Sequence, residues 1–299
     1  MTIETISSTR SHGGTQHVLR HASTATGTPM TFAVFVPDHA PGEQLPIIWY
    51  LSGLTCTHAN VMDKGEYRAA CAEHRIILVA PDTSPRGPDL EGNPVPDDPE
   101  GAWDFGLGAG FYVDATQEPW SRHYRMKSYI EDELPAVLAA AIPAADLSRQ
   151  SITGHSMGGH GALTIALRNP GRFKSVSAFA PIASPLNCPW GEKALTNYLG
   201  PDRTAWRAYD SYALLEDGAR VPDILIDIGT ADPFLTEQLK PELLEDAAAT
   251  AQQSLTLRRQ NDYDHSYFFI STFMAEHIAW HAAAIACDGG RPTDKARLR

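Results

Sequence analysis

Cysteine is sparse in this chain. Four of them, Cys56, Cys71, Cys188 and Cys287, are spread over 299 residues, and their spacings match no zinc-binding or thioredoxin-like pattern. A disulfide scaffold is thereby excluded, and free thiols in a reducing, cytoplasmic setting are expected. Positive charge is also short: 24 Lys and Arg face 36 Asp and Glu, a net charge of −12. A chain this acidic, without a basic block, lacks the means to neutralise nucleic-acid phosphates. Long apolar runs are missing as well. The best candidate, AVLAAAIPAA at 136–145, is short and interrupted by Pro143, so no membrane span is expected. The opening MTIETISSTRSHGG has neither the basic region nor the apolar core of a secretory leader. Residues from about 1 to 14, and the polar stretch 287–299, are expected to be flexible tails. No repeat or low-complexity tract is visible.

What is present is an ordinary globular composition, 43% apolar and 20% charged, in a chain long enough to bury a large core without staples. Apolar runs alternate with segments of helical pattern. QHVLRHAS and MTFAVFVP read as a hairpin-like strand pair, followed by strands at LPIIWYLSG, IILVAPD, SIT, SVSAFAP, DILIDIG and LTLRRQ. Helices are expected at EYRAACAEHR, at RMKSYIEDELPAVLAAAI with a kink or fresh start at Pro135, after residue 156, at PFLTEQLKPELLEDAAATA and at SYFFISTFMAEHIAWHAAAIA. Such alternation predicts a mostly parallel, twisted sheet with helices on both faces, in one domain spanning 1–299. A loop from about 83 to 120 is long, but Trp103, Phe105, Phe111, Tyr112 and Trp120 argue that it is ordered.

The stretch SITGHSMGGHGAL, residues 151–163, sets Ser156 among Gly154, Gly158, Gly159 and Gly161. Glycine costs a helix about 1 kcal/mol relative to alanine, so its density at a helix start needs a compensating gain. With a strand before and a helix after, G-x-S-x-G is the nucleophile elbow of an α/β-hydrolase fold. Ser156 is then the candidate nucleophile. It needs a base and an orienting acid, which follow in the chain order Ser, Asp/Glu, His at strand ends. Asp232, just past DILIDIG, is the expected acid. Asp227 lies inside that strand and Asp223 at its wrong end. His265, in the loop NDYDHSY, is the expected base, while His277 and His281 fall at helical spacing and read as structural or exposed. His155 and His160, beside the serine, read as packing residues. The backbone N–H groups of Leu54, in the turn LSGLT, and Met157 are the expected oxyanion hole.

Together with the elbow, YLSGLTCT (50–57), APDTSPRG (80–87), WDFGLGAGFYVDAT (103–116), KSVSAFAPI (174–182), CPWGEKA (188–194), DILIDIGTADPFL (223–235) and YDHSY (263–267) resemble the S-formylglutathione hydrolases, the esterase D family. The likeness runs from about residue 15 to 285. It implies hydrolysis of S-formylglutathione to formate and glutathione through an acyl-enzyme, without metal or organic cofactor, in a homodimer. Its catalytic Ser, Asp and His fall on Ser156, Asp232 and His265. A broad short-chain carboxylesterase would use the same triad. So would an acyltransferase, while a non-catalytic binding protein of this fold would usually have lost a triad member. Cys56 follows the oxyanion turn and is expected either to line the pocket or to be an inert buried thiol. Trp190 and Trp103 are candidates for its wall, or for core beneath the long loops. Glutathione is a net anion, so an acidic chain must supply a local cation; Arg86, Lys64 and Lys193 are the candidates, against a reading of all three as solvated surface charge. The loop GPDLEGNPVPDDPEGAWDFG is long and acidic relative to the family, and its acids either oppose the tripeptide or face water.

Overall fold

The structure, a computed structural model, describes residues 2–287. Nine strands form a continuous sheet: β1 (Ile3–Ser11), β2 (Gly14–Ala22), β3 (Pro29–Pro37), β4 (Leu45–Leu51), β5 (Ile77–Pro81), β6 (Ala145–Gly154), β7 (Val176–Phe179), β8 (Ile224–Gly229) and β9 (Leu255–Gln260). Their spatial order is β1-β2-β3-β5-β4-β6-β7-β8-β9. The first four in that order pair antiparallel, and every pairing from β5–β4 to β8–β9 is parallel. β4, β5, β7 and β8 are buried along their whole length, which is why they read as unbroken apolar runs rather than as alternation.

The expected tail at 1–14 is corrected. Residues 3–11 form β1, an edge strand that pairs with β2 across a register shift near Thr5 and Ser7. Its side chains are almost all exposed, so it carries no apolar period to betray it. Backbone pairing and the exposed ion pairs Arg10–Asp38 and Arg20–Glu4 hold it instead. Of the C-terminal stretch 287–299, Cys287 ends the last helix and is exposed, and 288–299 lie outside the described residues. Before Pro135 the backbone takes a wide turn in which Leu134 N–H donates to Tyr129 C=O, and the helix Leu134–Ala141 starts afresh with proline in its first turn, where no N–H is needed.

Helices cover both faces. Successive strand residues point to opposite sides. Ser177 of β7 hydrogen-bonds to His277 and His281 of the C-terminal helix Tyr267–Cys287, whereas the next residue, Ala178, lies against Gly159 of the elbow helix Met157–Arg168. The C-terminal helix and the elbow helix therefore sandwich the parallel strands.

From β4 the chain moves to β5 on one side, and from β6 it moves to β7 on the other. The carboxyl ends of β4 and β6, aligned at Leu51 and Gly154, are thus the point where the winding reverses. Open α/β sheets bind their ligands in the crevice at such a point. The turn carrying Leu54 and the turn carrying Ser156 leave the sheet there, side by side.

Candidate active site

Ser156 sits at φ 58 and ψ −120, a left-handed conformation that costs a non-glycine residue on the order of 1–3 kcal/mol. The neighbouring strands hold it there. His155 N–H donates to Leu51 C=O of β4 at 3.0 Å, and Ser156 N–H to Phe179 C=O of β7 at 2.9 Å. The glycines are required by close approach. A Cβ on Gly154 would land on the Gly158 carbonyl, and one on Gly158 on the Leu51 carbonyl. Gly159 packs against Pro181 and Ala178, and Gly161 against the Tyr112 ring, so the loss of helix propensity is offset by a helix lying close to its surroundings.

Asp232 and His265 come from the loops after β8 and β9, thirty-three residues apart in sequence. The loops are stitched together: Thr230 N–H donates to Gln260 C=O and Ala231 N–H to Tyr263 C=O, both at 3.0 Å. Gly229 is the residue that lets them meet, since a Cβ there would strike the Tyr263 carbonyl. Asp232 is 5% exposed. One carboxylate oxygen accepts Phe234 N–H at 2.8 Å and the other faces His265 Nδ1 at 2.5 Å. The His265 ring stands 4.4 Å from that of His155, the neighbour of Ser156, and 5.0 Å from Phe234. No Ser156–His265 hydrogen bond is among those formed by the described residues. In ligand-free hydrolases this contact is often loose and tightens with substrate.

The β4 turn presses on the elbow: a Cβ on Gly53 would lie 3.1 Å from Ser156 Cβ. Thr55 N–H donates to Gly108 C=O at 2.9 Å and Cys56 N–H to Gly53 C=O at 3.3 Å. Across the crevice Gly158 N–H donates to His155 C=O at 2.7 Å. Between these bonds, Leu54 N–H and Met157 N–H have no acceptor among the described residues. Two unspent backbone donors flank one serine, the second at a helix start whose partial positive charge adds to it.

Rings run outward from His265. Phe234 contacts Trp190 at 4.8 Å, and Trp190 contacts Trp103 at 5.5 Å. Trp190 is buried but Trp103 is 54% exposed, so Trp103 is not the core residue that one reading allowed, whereas Phe105, Phe111, Tyr112 and Trp120 are buried. The acids of the long loop are used in folding it: Asp97 accepts Leu107 N–H and Asp98 accepts Glu100 N–H.

Asp227, the rejected acid, is spoken for. It lies fully buried in β8 and accepts hydrogen bonds from Arg258, Gln260 and His277, on the face covered by the C-terminal helix. Burial works to raise its pKa, but the bonds from His277 and Arg258 outweigh it and hold the carboxyl down at about 2. His277 and His281 are structural, and both are buried: His281 binds Ser175 and Ser177 at 2.7 and 2.8 Å.

His160 is buried with Nε2 on the Phe111 carbonyl at 3.0 Å, and burial drives its pKa down to about 4 despite that bond. Burial and the nearby His265 likewise push His155 well below the ordinary histidine range. A histidine kept neutral in the fold takes up a proton on unfolding. Its contribution is complete above about pH 6.5 and is lost as pH falls towards about 4, to a limit of about 3 kcal/mol for His160. His160→Gln is expected to flatten the loss of thermal stability between pH 7.5 and 5; a melting temperature falling as steeply as in the parent would contradict this.

The chain's likenesses agree with this geometry. A family model described as a putative esterase matches residues 23–280. The S-formylglutathione hydrolase of Paracoccus denitrificans is 51% identical over 279 residues, 93% of this chain and 97% of that protein. That of Mus musculus is 49% identical over 94% of this chain and 98% of the relative. The chain belongs to the S-formylglutathione hydrolase family. The solved structure of the family's Agrobacterium tumefaciens enzyme superposes with a TM-score of 0.90 at 56% identity, covering 94% of this chain and 99% of that one. The α/β-hydrolase fold follows, and the protein is a hydrolase.

Two residues near the site escaped sequence reasoning. Phe234, two after Asp232, links His265 to Trp190. Tyr267, two after His265, is set between Cys56 and the His155 ring at 6.2 Å, its hydroxyl buried without a hydrogen-bond partner among the described residues. The only signal was their position beside a triad candidate. Cys56 is partly buried, and burial raises its pKa against the opposing influence of the Tyr267 hydroxyl and the nearby Lys64 charge, so it stays a thiol.

Proposed function

We propose that this chain is a serine thioesterase that hydrolyses S-formylglutathione to formate and glutathione, on a single domain and with Ser156, His265 and Asp232 as its triad. The observation that carries the chemistry is one juxtaposition. The elbow serine lies between two unspent N–H groups, with a half-buried His265 on a buried Asp232 at 2.5 Å beside it. The substrate rests on relatives about half identical over more than nine-tenths of the chain.

Ser156 Oγ attacks the formyl carbon while His265 Nε2 takes its proton. Asp232, on Nδ1, fixes the tautomer and steadies the imidazolium. The carbonyl oxygen becomes an oxyanion on Leu54 and Met157 N–H, each such donor being worth about 3–4 kcal/mol in the transition state. The carbon–sulfur bond breaks and glutathione leaves as the thiol, with the proton from His265. Water then adds to the formyl-enzyme with His265 as base, and formate departs. Phe234, Trp190 and Trp103 wall the acyl side, and no cofactor or metal enters any step.

Comparing kcat/KM for S-formylglutathione and for 4-nitrophenyl acetate tests the reading. A preference of at least about tenfold for the thioester is expected. A preference for the ester would make the protein a short-chain carboxylesterase with the same triad. Among the described residues no helix is long and apolar enough to cross a membrane. The same reading places a homodimer in the cytoplasm, which sedimentation equilibrium and cell fractionation check.

A further inference from the structure

The candidate cations of the sequence part company in the structure. Arg86 is spent on Asp82, at 2.9 Å, and on the Cys56 carbonyl. Lys193 is spent on Asp104 at 2.6 Å and Asp98 at 3.5 Å. Lys64, the last residue of the helix His58–Lys64, is exposed and forms no ion pair among the described residues. It lines a cleft of about 600 Å³ together with Glu66, Ser266, Tyr267, Phe268 and Ser271. That is within the range of small-molecule sites, about 300–1,000 Å³.

The cleft adjoins the site. Ser266 and Tyr267 directly follow His265, and Tyr267 and Lys64 both act on the Cys56 thiol just past the oxyanion turn. The acyl-side aromatics lie on the Phe234 flank of His265, whereas this cleft lies on its Tyr267 flank. A leaving group must sit beside the histidine that protonates it. The lining is mixed in a specific way. Lys64 offers a positive charge and Glu66 a negative one, two residues away. Glu66 is held at φ 52, a conformation uncommon for a side chain of this kind, and it too makes no ion pair among the described residues. Phe268 adds an aromatic ring that is 86% exposed. An adjacent cation and anion complement the carboxylate and ammonium on one α-carbon, the head of the γ-glutamyl arm of glutathione.

We propose that this cleft seats the glutathionyl leaving group, with Lys64 on the γ-glutamyl carboxylate, Glu66 on the ammonium and Phe268 covering the peptide arm. The assignment rests on the S-formylglutathione reading above. Lys64 and Glu66 are thus specificity determinants that a substrate without the charged arm does not meet.

Lys64→Glu, Glu66→Gln and Phe268→Ala should be assayed with S-formylglutathione, with an S-formyl thioester of an uncharged thiol, and with 4-nitrophenyl acetate. For Lys64→Glu, kcat/KM for S-formylglutathione is expected to fall by about tenfold relative to the two uncharged substrates, through KM, and the loss to shrink at high salt. Glu66→Gln and Phe268→Ala should move the same ratio in the same direction. An unaltered ratio in Lys64→Glu, or an equal loss on all three substrates, overturns the inference while leaving the function intact. Parent enzyme inactive on S-formylglutathione but active on the ester sinks the substrate assignment itself.

Discussion

Ser156→Ala is expected to lower kcat by about 10⁶, because a triad acts as a unit and the remaining imidazole and carboxylate have nothing to activate. What survives should be the smaller rate enhancement of the oxyanion donors and of substrate binding. The fold should be indifferent to the change. The serine's place is held by the backbone bonds of His155 and Ser156 to β4 and β7, and alanine keeps them. The melting temperature should therefore stay within a degree or two while activity disappears, and a fluorophosphonate should label the parent protein at residue 156 and leave the variant unmarked. A variant retaining one-hundredth of the parent's kcat, or labelling elsewhere, would mean that another nucleophile serves.

The second large effect separates two carboxylates five positions apart. Asp232→Asn is expected to reduce kcat by about 10⁴ with little change in stability, because the amide favours the wrong tautomer of His265. Asp227→Asn is expected to do the reverse. It strips the buried partner from Arg258 and His277, and breaking a buried pair this way costs about 3–5 kcal/mol of folding stability. Chemical denaturation with kinetics on the surviving native fraction distinguishes them. If Asp227→Asn lost activity per native molecule as severely as Asp232→Asn, the assignment of the acid would be reversed.

Much of the site was legible because its signals are local. A strand, G-x-S-x-G and a helix occupy one short stretch, and tight turns admit few residue types, so Ser156 and its glycines could be read directly. Asp232 and His265 were legible one step less directly, from strand ends and chain order. Asp227 could be set aside because a residue within a strand points to a face and not to the carboxyl edge.

Elsewhere the amino-acid order was silent or misleading. β1 is polar along its length and is held by backbone pairing, which leaves no mark on side-chain periodicity. His277 and His281 sit at helical spacing but are buried, because Ser177 on β7, Ser175 just before it and Asp227 on β8 satisfy their rings. Trp103 and Trp190 look alike in sequence, yet only one is covered.

The order of residues alone thus determined the sheet class, the candidate nucleophile and the proposed succession of acid and base, since backbone geometry and strand–helix connectivity restrict those within short windows. Tertiary structure alone decided which charges remain available. Arg86, Lys193 and Lys64 are equivalent as letters, and two are neutralised by carboxylates brought close in space. Electrostatic partnership depends on distance in three dimensions, which the chain sets only once it has folded.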